Sequence, residues 1–414
     1  MRIDSLMKYI ARQPILNRKR ELFGYELLFR NGLQNSCDGL NLEHASASVL
    51  DTSFLIGFEK LTAGHPMFFN CPRDFLLKDY ISIFPPKSVV VEILENVNPD
   101  REIVEACRHL KQAGYSIALD DFVDTPAWAP LVDLADIIKI DFRLTLQEER
   151  RAIVSRFADK QVRLLAEKVE TQEEFTAAMR MGYSLFQGYF FCRPEMMQHG
   201  DLPSSKLAYL ELLRAAAAPD FDIEQLALKI KHEASLTFRL LRYLNSAFFG
   251  LRSEIRSVPH ALSLLGEREL RKWVAVVSVG VLADGKPDEL MTIPLVRGRF
   301  CELLAPLAGM PAEANDLFLM GLLSVMDAIL DQPLESIMAE LPVRKEIKNA
   351  LLSRTGTYWK SLEIAIAHER ADWEAVGFLM AESGLNGEEV SAMYISAVDW
   401  STALRQGVMG PAVV

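Results

Sequence analysis

The chain has 414 residues, of which 50% are hydrophobic and 24% are charged, a composition typical of a well-packed globular protein. Its 45 Lys and Arg residues against 56 Asp and Glu residues give a formal net charge of −11, which repels phosphate backbones and argues against non-specific nucleic-acid binding. This length exceeds one ordinary hydrophobic core, so we expect two domains.

The chain starts MRIDSLMKYIARQP, without the continuous apolar run or the small-residue cleavage site of a secretory signal. The longest later apolar run, from Trp273 to Ala283, is about half as long as a membrane span. We therefore expect a cytoplasmic protein with no membrane association. The cysteines are odd in number and never form a C-x-x-C pair, which predicts reduced, mostly buried thiols at Cys37, Cys71, Cys107, Cys192 and Cys301.

Up to about residue 195, short β-rich apolar runs alternate with helical stretches such as Asp100 to Gly114 and Thr171 to Gly182. The runs are YIARQPIL, FGYELLF, PMFFN, VVVEIL, SIALD, IIKID, RLLAE and LFQGYFF. This alternation predicts a TIM-like α/β barrel of parallel strands, with a doubly wound sheet as the second choice.

From Leu202 onward the strand signals fade and amphipathic helices follow one another, separated by prolines. We therefore predict an all-helical second domain. The stretch between Pro194 and Pro203 is the candidate linker. The predicted boundaries are 1–198 for the barrel, 199–400 for the helical domain and 401–414 for a C-terminal tail.

Nearly every predicted barrel strand carries a polar residue at or near its C-terminal end. For a single carboxylate, the simpler interpretation is a strand end that meets solvent. Because the same pattern recurs on seven strands, and the C-terminal ends of parallel strands share one mouth, we instead expect a ring of polar side chains. Its members are Glu26, Asn70, Glu92, Asp120, Asp121, Lys139, Asp141, Glu167 and Gln187.

Carboxylates gathered in one bowl repel each other unless cations are present, and oxygen ligands are those that Mg²⁺ and Mn²⁺ prefer. The ring therefore predicts a site for two such ions. Two hard cations can activate water and stabilise a leaving oxygen, so hydrolysis of a phosphodiester is the expected chemistry. Lys139, flanked by isoleucines in IIKID, needs a polar destination inside the barrel.

These segments resemble the EAL family of cyclic-di-GMP phosphodiesterases over residues 8 to 195. The family motifs occur in order as YIARQPI, ELLFR from Glu26 to Arg30, Asn70, the pair Glu92 and Glu95, Asp120 with Asp121, Lys139 in IKID, Glu167 and Glu170 in AEKVET, and Gln187 in QGY. The resemblance implies hydrolysis of cyclic-di-GMP to pGpG.

The resemblance also implies a role for each matched residue. The metal ligands would be Glu26, Asn70, Glu92, Asp120 and Glu167, with Asp121 completing the second ion. Lys139 would lie near the attacking water, and Glu167 would be the general base instead of, or in addition to, a ligand. The substrate contacts would be Gln13, Arg30, Asp141 and Gln187, and Glu95 and Glu170 would support the loop after Asp121.

Three positions depart from the family pattern. Leu27 replaces the alanine of the name-giving motif, which is a mild apolar exchange. The loop from Val123 to Pro130 lacks the usual glycines, and Val123 and Pro126 stiffen it. Lys168 replaces a glycine beside Glu167, where a cation could weaken metal binding.

The second half resembles the HDOD domain over about residues 202 to 395, on the segments Leu240–Gly250, Ser257–Trp273 and Met320–Leu330. The HD hydrolases related to it need a His-Asp pair, which this chain lacks, so His232, His260 and His368 are not expected to bind metal. The resemblance implies an output through contact with a protein partner, and a homodimer through the barrel. Besides a hydrolase, a cyclic-di-GMP receptor without turnover and a pure scaffold stay open.

Overall fold

The computed structural model describes residues 8–31, 58–194, 204–220, 222–245, 255 and 257–405. The chain forms two compact units. The first comprises residues 1–193 together with Ala367–Gly377, and the second comprises residues 194–366 and 378–414. The predicted boundary at 198/199 lies outside the described residues.

The first unit is a closed eight-stranded barrel, which confirms the predicted fold class. Consecutive strands are neighbours around the whole barrel. The strands are β1 (Lys8–Asn17), β2 (Leu22–Asn31), β3 (Met67–Cys71), β4 (Val89–Ile93), β5 (Ser116–Leu119), β6 (Ile137–Asp141), β7 (Arg163–Glu167) and β8 (Leu185–Gln187).

The prediction of parallel strands throughout is wrong for β1, which runs antiparallel to both β2 and β8. The reason is local, because a tight turn joins β1 to β2. The Asn17 side chain accepts hydrogen bonds from the N–H groups of Lys19 and Glu21, at 2.8 and 3.0 Å, and Arg20 adopts a left-handed conformation with φ of 63°. Such a turn reverses the chain without a crossover helix.

Short helices follow most of the parallel strands. They are α1 (Phe58–Thr62), α2 (Arg73–Leu77), α3 (Arg101–Gln112), α4 (Ala129–Val132), α5 (Gln147–Phe157) and α6 (Gln172–Met181). The two helices predicted from the sequence begin at side-chain caps, since Asp100 accepts from the N–H of Ile103 and Thr171 from that of Glu174, both at 3.1 Å.

The barrel interior is layered because side chains alternate along a strand with a period of two residues. One buried layer is apolar and consists of Ile15, Phe68, Val90, Ala118, Ile137, Leu165 and Leu185. In the parallel strands, the residue two positions further along is a member of the predicted polar ring. The apolar layer therefore lies directly beneath the polar ring inside the barrel.

The second unit is helical, as predicted. Its helices are α7 (Ser204–Ala217), α8 (Ile223–His232), α9 (Ala234–Leu244), α10 (Val258–Leu282), α11 (Glu289–Leu304), α12 (Ala314–Leu323), α13 (Met326–Leu330), α14 (Leu334–Glu340), α15 (Lys345–Lys348), α16 (Gly356–Glu369), α17 (Trp373–Ser383) and α18 (Gly387–Leu404). In the described ranges no helix combines the length and apolarity that a bilayer crossing requires.

Helices α11 and α12 pack closely in this unit because each has a glycine at the contact. A Cβ atom on Gly321 would lie 2.5 Å from the backbone nitrogen of Gly298, so a larger residue there would push the helices apart. Helix α18 continues to Leu404, within the stretch predicted as a tail. Residues 406–414 of that stretch lie outside the described part of the chain.

Candidate active site

Four carboxylates from four strands or strand ends surround the ammonium of Lys139 on β6. The Nζ atom of Lys139 lies 2.7 Å from an oxygen of Glu92, 2.7 Å from Asp120, 3.0 Å from Glu167 and 3.4 Å from Glu26. The Lys139 and Glu92 side chains are 1% and 0% exposed. The structure therefore brings the core of the predicted ring to one point inside the barrel mouth.

Burial and mutual repulsion shift the protonation equilibria of this cluster. Burial raises the pKa of Glu92 well above its usual value. Burial also raises the pKa of Glu167, and the negative charges of Asp120 and Glu26 raise it further. Burial opposes the charged form of Lys139, but the four surrounding carboxylates outweigh it and raise its pKa. Lys139 is thus held as an ammonium among carboxylates that compete for it.

Three amide side chains complete the ring on the side of Glu26. The Nε2 atom of Gln187 donates to Oε2 of Glu26 at 2.7 Å and to Oε1 of Gln13 at 2.9 Å. The Nδ2 atom of Asn70 donates to Oε1 of Glu26 at 3.3 Å. Antiparallel β1 contributes Gln13 to the mouth because its register pairs Gln13 with Glu26.

The donor set of the ring suits hard divalent cations. If all are ionised, four carboxylates and one ammonium carry three net negative charges, which an apolar barrel interior does not tolerate. The Oε2 atoms of Glu92 and Glu167 are buried and accept no hydrogen bond from the described residues. Among the described residues, no group of three or more Asp, Glu, His or Cys side chains is arranged to hold a metal ion. The carboxylates of the ring contact the Lys139 ammonium instead.

The remaining acidic residues of the ring lie beside this centre. Asp121 follows Asp120 in a left-handed conformation, with φ of 40°, and burial raises its pKa. Asp141, predicted as a substrate contact, is already engaged. Its Oδ1 atom accepts the N–H groups of Arg143 and Leu144, at 2.5 and 3.1 Å, and its Oδ2 atom contacts the Lys168 ammonium.

The two predicted supporting glutamates differ in their surroundings. Glu95 acts electrostatically on Asp121, as expected for a residue near that loop. Glu170 forms an ion pair of 2.7 Å with Arg143 in the loop after β6. Arg30 belongs to β2, but its side chain lies outside what the structure describes.

The loop that departs from the family pattern is fixed to a neighbouring helix. Asp124 forms an ion pair with Arg156 on α5, and residues Pro126–Trp128 form a turn of 3-10 helix. Val123 is 67% exposed. The absence of the usual glycines is therefore accompanied by a side-chain anchor.

A segment far away in sequence also reaches the mouth of the first unit. Gln13 donates to the carbonyl of Arg370 at 3.1 Å, and the Tyr189 hydroxyl donates to the carbonyl of Glu369 at 2.9 Å. His368, fully buried, packs edge-on against Trp373. The sequence gives no signal for these contacts, because main-chain carbonyls accept the hydrogen bonds and carbonyls are present at every position.

The barrel and its mouth together place the chain among α/β-barrel proteins that hold a buried cluster of carboxylates around one lysine. Comparison with known proteins agrees with this class. A model of the EAL domain matches residues 61–194, and a model of the HDOD domain matches residues 202–346.

Two relatives match nearly the whole chain. The uncharacterized protein YuxH of Bacillus subtilis (strain 168) is 34% identical over 401 residues, which cover 95% of this chain and 97% of YuxH. The cyclic di-GMP phosphodiesterase CdgJ of Vibrio cholerae is 34% identical over 402 residues, which cover 96% of this chain and 93% of CdgJ. The chain therefore belongs to the family of proteins that carry an EAL domain followed by an HDOD domain.

Among solved structures, the chain is similar to BlrP1 of Klebsiella pneumoniae, determined as a complex with manganese and cyclic-di-GMP. The two are 21% identical, with a TM-score of 0.38. The match covers 46% of this chain and 57% of that chain.

Proposed function

We propose that the barrel hydrolyses cyclic-di-GMP to pGpG with two Mg²⁺ or Mn²⁺ ions. The observation that carries this proposal is the convergence of four carboxylates on one buried point, with carboxylate oxygens of Glu92 and Glu167 that accept no hydrogen bond from the described residues. The relative CdgJ, a cyclic di-GMP phosphodiesterase, supports the choice of substrate.

The residues that would hold the two ions are Glu26, Asn70, Glu92, Asp120, Asp121 and Glu167. When bound, the ions supply the charge that activates water and stabilises the leaving oxygen. Lys139 donates a hydrogen bond to the attacking water and orients it toward phosphorus. Glu167, whose pKa is raised by burial, takes the proton of that water. The water oxygen bonds to phosphorus and the bond to the 3′ oxygen breaks. That oxygen takes up the proton that Glu167 removed from the water, which leaves a 5′ phosphate and a 3′ hydroxyl in the linear product.

Binding of the nucleotide falls to the amide and cationic side chains around the ring. Gln13 and Gln187 present amide groups at the mouth, and Arg30 suits a phosphate because its guanidinium can donate two parallel hydrogen bonds. The helical domain would pass the output to a protein partner, and a homodimer would form through the barrel. Direct contact with nucleic acid is not expected, because the chain has a net charge of −11.

The decisive test is product formation. The full-length protein is incubated with cyclic-di-GMP and Mn²⁺, Mg²⁺ or EDTA, and pGpG is followed by chromatography. Glu26→Ala should abolish the product, because Glu26 accepts from Gln187 and Asn70 and contacts Lys139. Glu148→Ala, at an exposed position of α5, is the matched control and should retain full activity.

A receptor without turnover is the second candidate, and two contacts at the mouth favour it. Lys168 engages Asp141, and Asp124 anchors the altered loop, so two elements at the mouth are held in place. Saturable binding of cyclic-di-GMP without pGpG would establish the receptor. Absence of both binding and product would leave a scaffold and overturn the proposal.

A further inference from the structure

Lys168 stands where the ring meets solvent. It follows Glu167 directly at the end of β7, and its backbone is left-handed, with φ of 54°. This conformation is unfavourable for a residue with a Cβ atom and natural for glycine. The side chain is 55% exposed, and its ammonium contacts the Oδ2 atom of Asp141.

Asp141 holds this ammonium in a fixed place. Its side chain is 3% exposed, and two backbone N–H groups fix the other carboxylate oxygen. An ammonium has three N–H donors, and this contact uses one of them. Asp141 therefore acts through Lys168 and leaves donors at the rim for another acceptor.

The electrostatic surroundings favour an anion as that acceptor. A lysine ammonium is cationic at neutral pH, and more than half of the Lys168 side chain is exposed to solvent. Two neighbouring cations among the described residues are already paired, since Lys139 is buried among four carboxylates and Arg143 pairs with Glu170. A dianionic cyclic dinucleotide that enters an acidic mouth requires positive charge where it first contacts the protein.

We propose that Lys168 is a substrate-binding residue whose ammonium, positioned by Asp141, binds a phosphate of the cyclic dinucleotide at the rim of the barrel. This inference rests on the proposed function and adds a contact for the nucleotide. Lys168 would then recognise the nucleotide. From the sequence alone, a cation next to Glu167 is expected only to weaken metal binding.

The test measures binding and turnover separately in full-length variants. The variants are Lys168→Gln, Lys168→Gly and Lys168→Arg. Lys160→Gln, an exposed lysine in the turn that precedes β7, is the matched control. Glycine also fits the left-handed backbone at position 168 without strain, so Lys168→Gly keeps the comparison valid if Lys168→Gln folds poorly. The dissociation constant for cyclic-di-GMP is measured by titration with EDTA and with Ca²⁺, and KM and kcat are measured with Mn²⁺.

We expect Kd and KM to rise about tenfold in Lys168→Gln and Lys168→Gly, the loss of one charge-assisted hydrogen bond. The kcat value should stay within about twofold of that of the unchanged protein. Lys168→Arg should retain most of the affinity, and Lys160→Gln all of it. Raised salt should weaken binding less in Lys168→Gln than in the unchanged protein, because one ionic contact is gone.

Unchanged Kd in Lys168→Gln, tighter binding, or a fall in kcat alone would overturn the inference. Those results leave the proposed function standing, since the unchanged protein still binds or hydrolyses cyclic-di-GMP. If the unchanged protein binds without turnover, hydrolysis fails but the Kd comparison still decides the role of Lys168. If it neither binds nor hydrolyses the nucleotide, both proposals fail.

Discussion

The ammonium nitrogen of Lys139 lies 2.7 Å from a carboxylate oxygen of Glu92, and both side chains are withdrawn almost completely from solvent. Each group on its own would be costly to bury. Together with Glu26, Asp120 and Glu167 they form a cluster in which one cation serves four anions. The lysine thus contributes to folding as well as to the proposed chemistry.

Lys139→Met should destabilise the barrel unit by about 3 to 5 kcal/mol, because it leaves a buried carboxylate without its partner. Thermal and urea unfolding measure the loss. Added Mn²⁺ should restore part of the stability, since a divalent cation can replace the missing charge. Lys160→Met, which removes an exposed ion pair with Asp133, should change stability by less than about 1 kcal/mol. Equal losses in the two variants would contradict this account.

Gly188 is a position where only glycine fits. Its φ is 137°, and a Cβ atom there would lie 2.0 Å from the carbonyl oxygen of Val169. Gly188→Ala should therefore cost about 3 kcal/mol and displace the adjacent Gln187. At Gly114 φ is 93°, but a Cβ atom there would meet no atom closer than 3.7 Å. Gly114→Ala should therefore lower the free energy of unfolding by only about 1 kcal/mol. Urea unfolding of both variants checks the difference, and similar losses would refute the steric argument.

Two tyrosines of the first unit should respond differently to loss of the hydroxyl. Tyr189→Phe removes the hydrogen bond to the carbonyl of Glu369 and should destabilise the first unit by about 1 kcal/mol. The hydroxyl of Tyr183 is buried and has no hydrogen-bond partner among the described residues, so Tyr183→Phe should be neutral or stabilising. A reversed order of unfolding midpoints would show that the contact with Glu369 is not formed in solution.

His368 should make the stability of the first unit depend on pH. Burial lowers the pKa of His368 from 6.5 to about 3, so between these values the unfolded chain binds a proton that the folded chain does not. Falling pH therefore favours unfolding. The free energy of unfolding should drop by about 2 kcal/mol between pH 7 and pH 5 from this group.

His368→Gln should remove that part of the pH dependence, whatever the substitution does to stability at pH 7. Urea unfolding at pH 7, 6 and 5 gives the slope for each protein. His260→Gln, at an exposed position, is the matched control for the substitution itself. Identical slopes for the unchanged protein and His368→Gln would contradict the assignment.

Much of the ring could be predicted from the sequence because its members obey a local rule. Side chains alternate along a strand, so a polar residue two positions after an interior apolar residue, as Glu92 follows Val90, must also face the interior. Repetition of this pattern on strand after strand indicated a barrel and a shared mouth. The caps Asp100 and Thr171 likewise marked helix starts without reference to any distant residue.

The prediction that β1 is parallel to its neighbours is wrong because the short turn between β1 and β2 sets its direction. The alternation of apolar residues along a strand is the same for either direction. The partner of Lys168 was also beyond the sequence, since Glu167 is its neighbour in the chain but Asp141 holds its ammonium. Similarly, the hydrogen bond from Gln13 to Arg370 joins residues far apart in the chain.

Strand periodicity and side-chain type are local properties, so the order of amino acids is enough to predict which residues face the barrel interior and which chemistry they can offer. How those side chains pair follows only from the folded barrel: Lys139 is shared by four carboxylates, Asp141 holds Lys168, and residues 367–377 belong to the barrel unit. Pairing depends on distances between residues remote in the chain, and these are fixed only when the barrel closes.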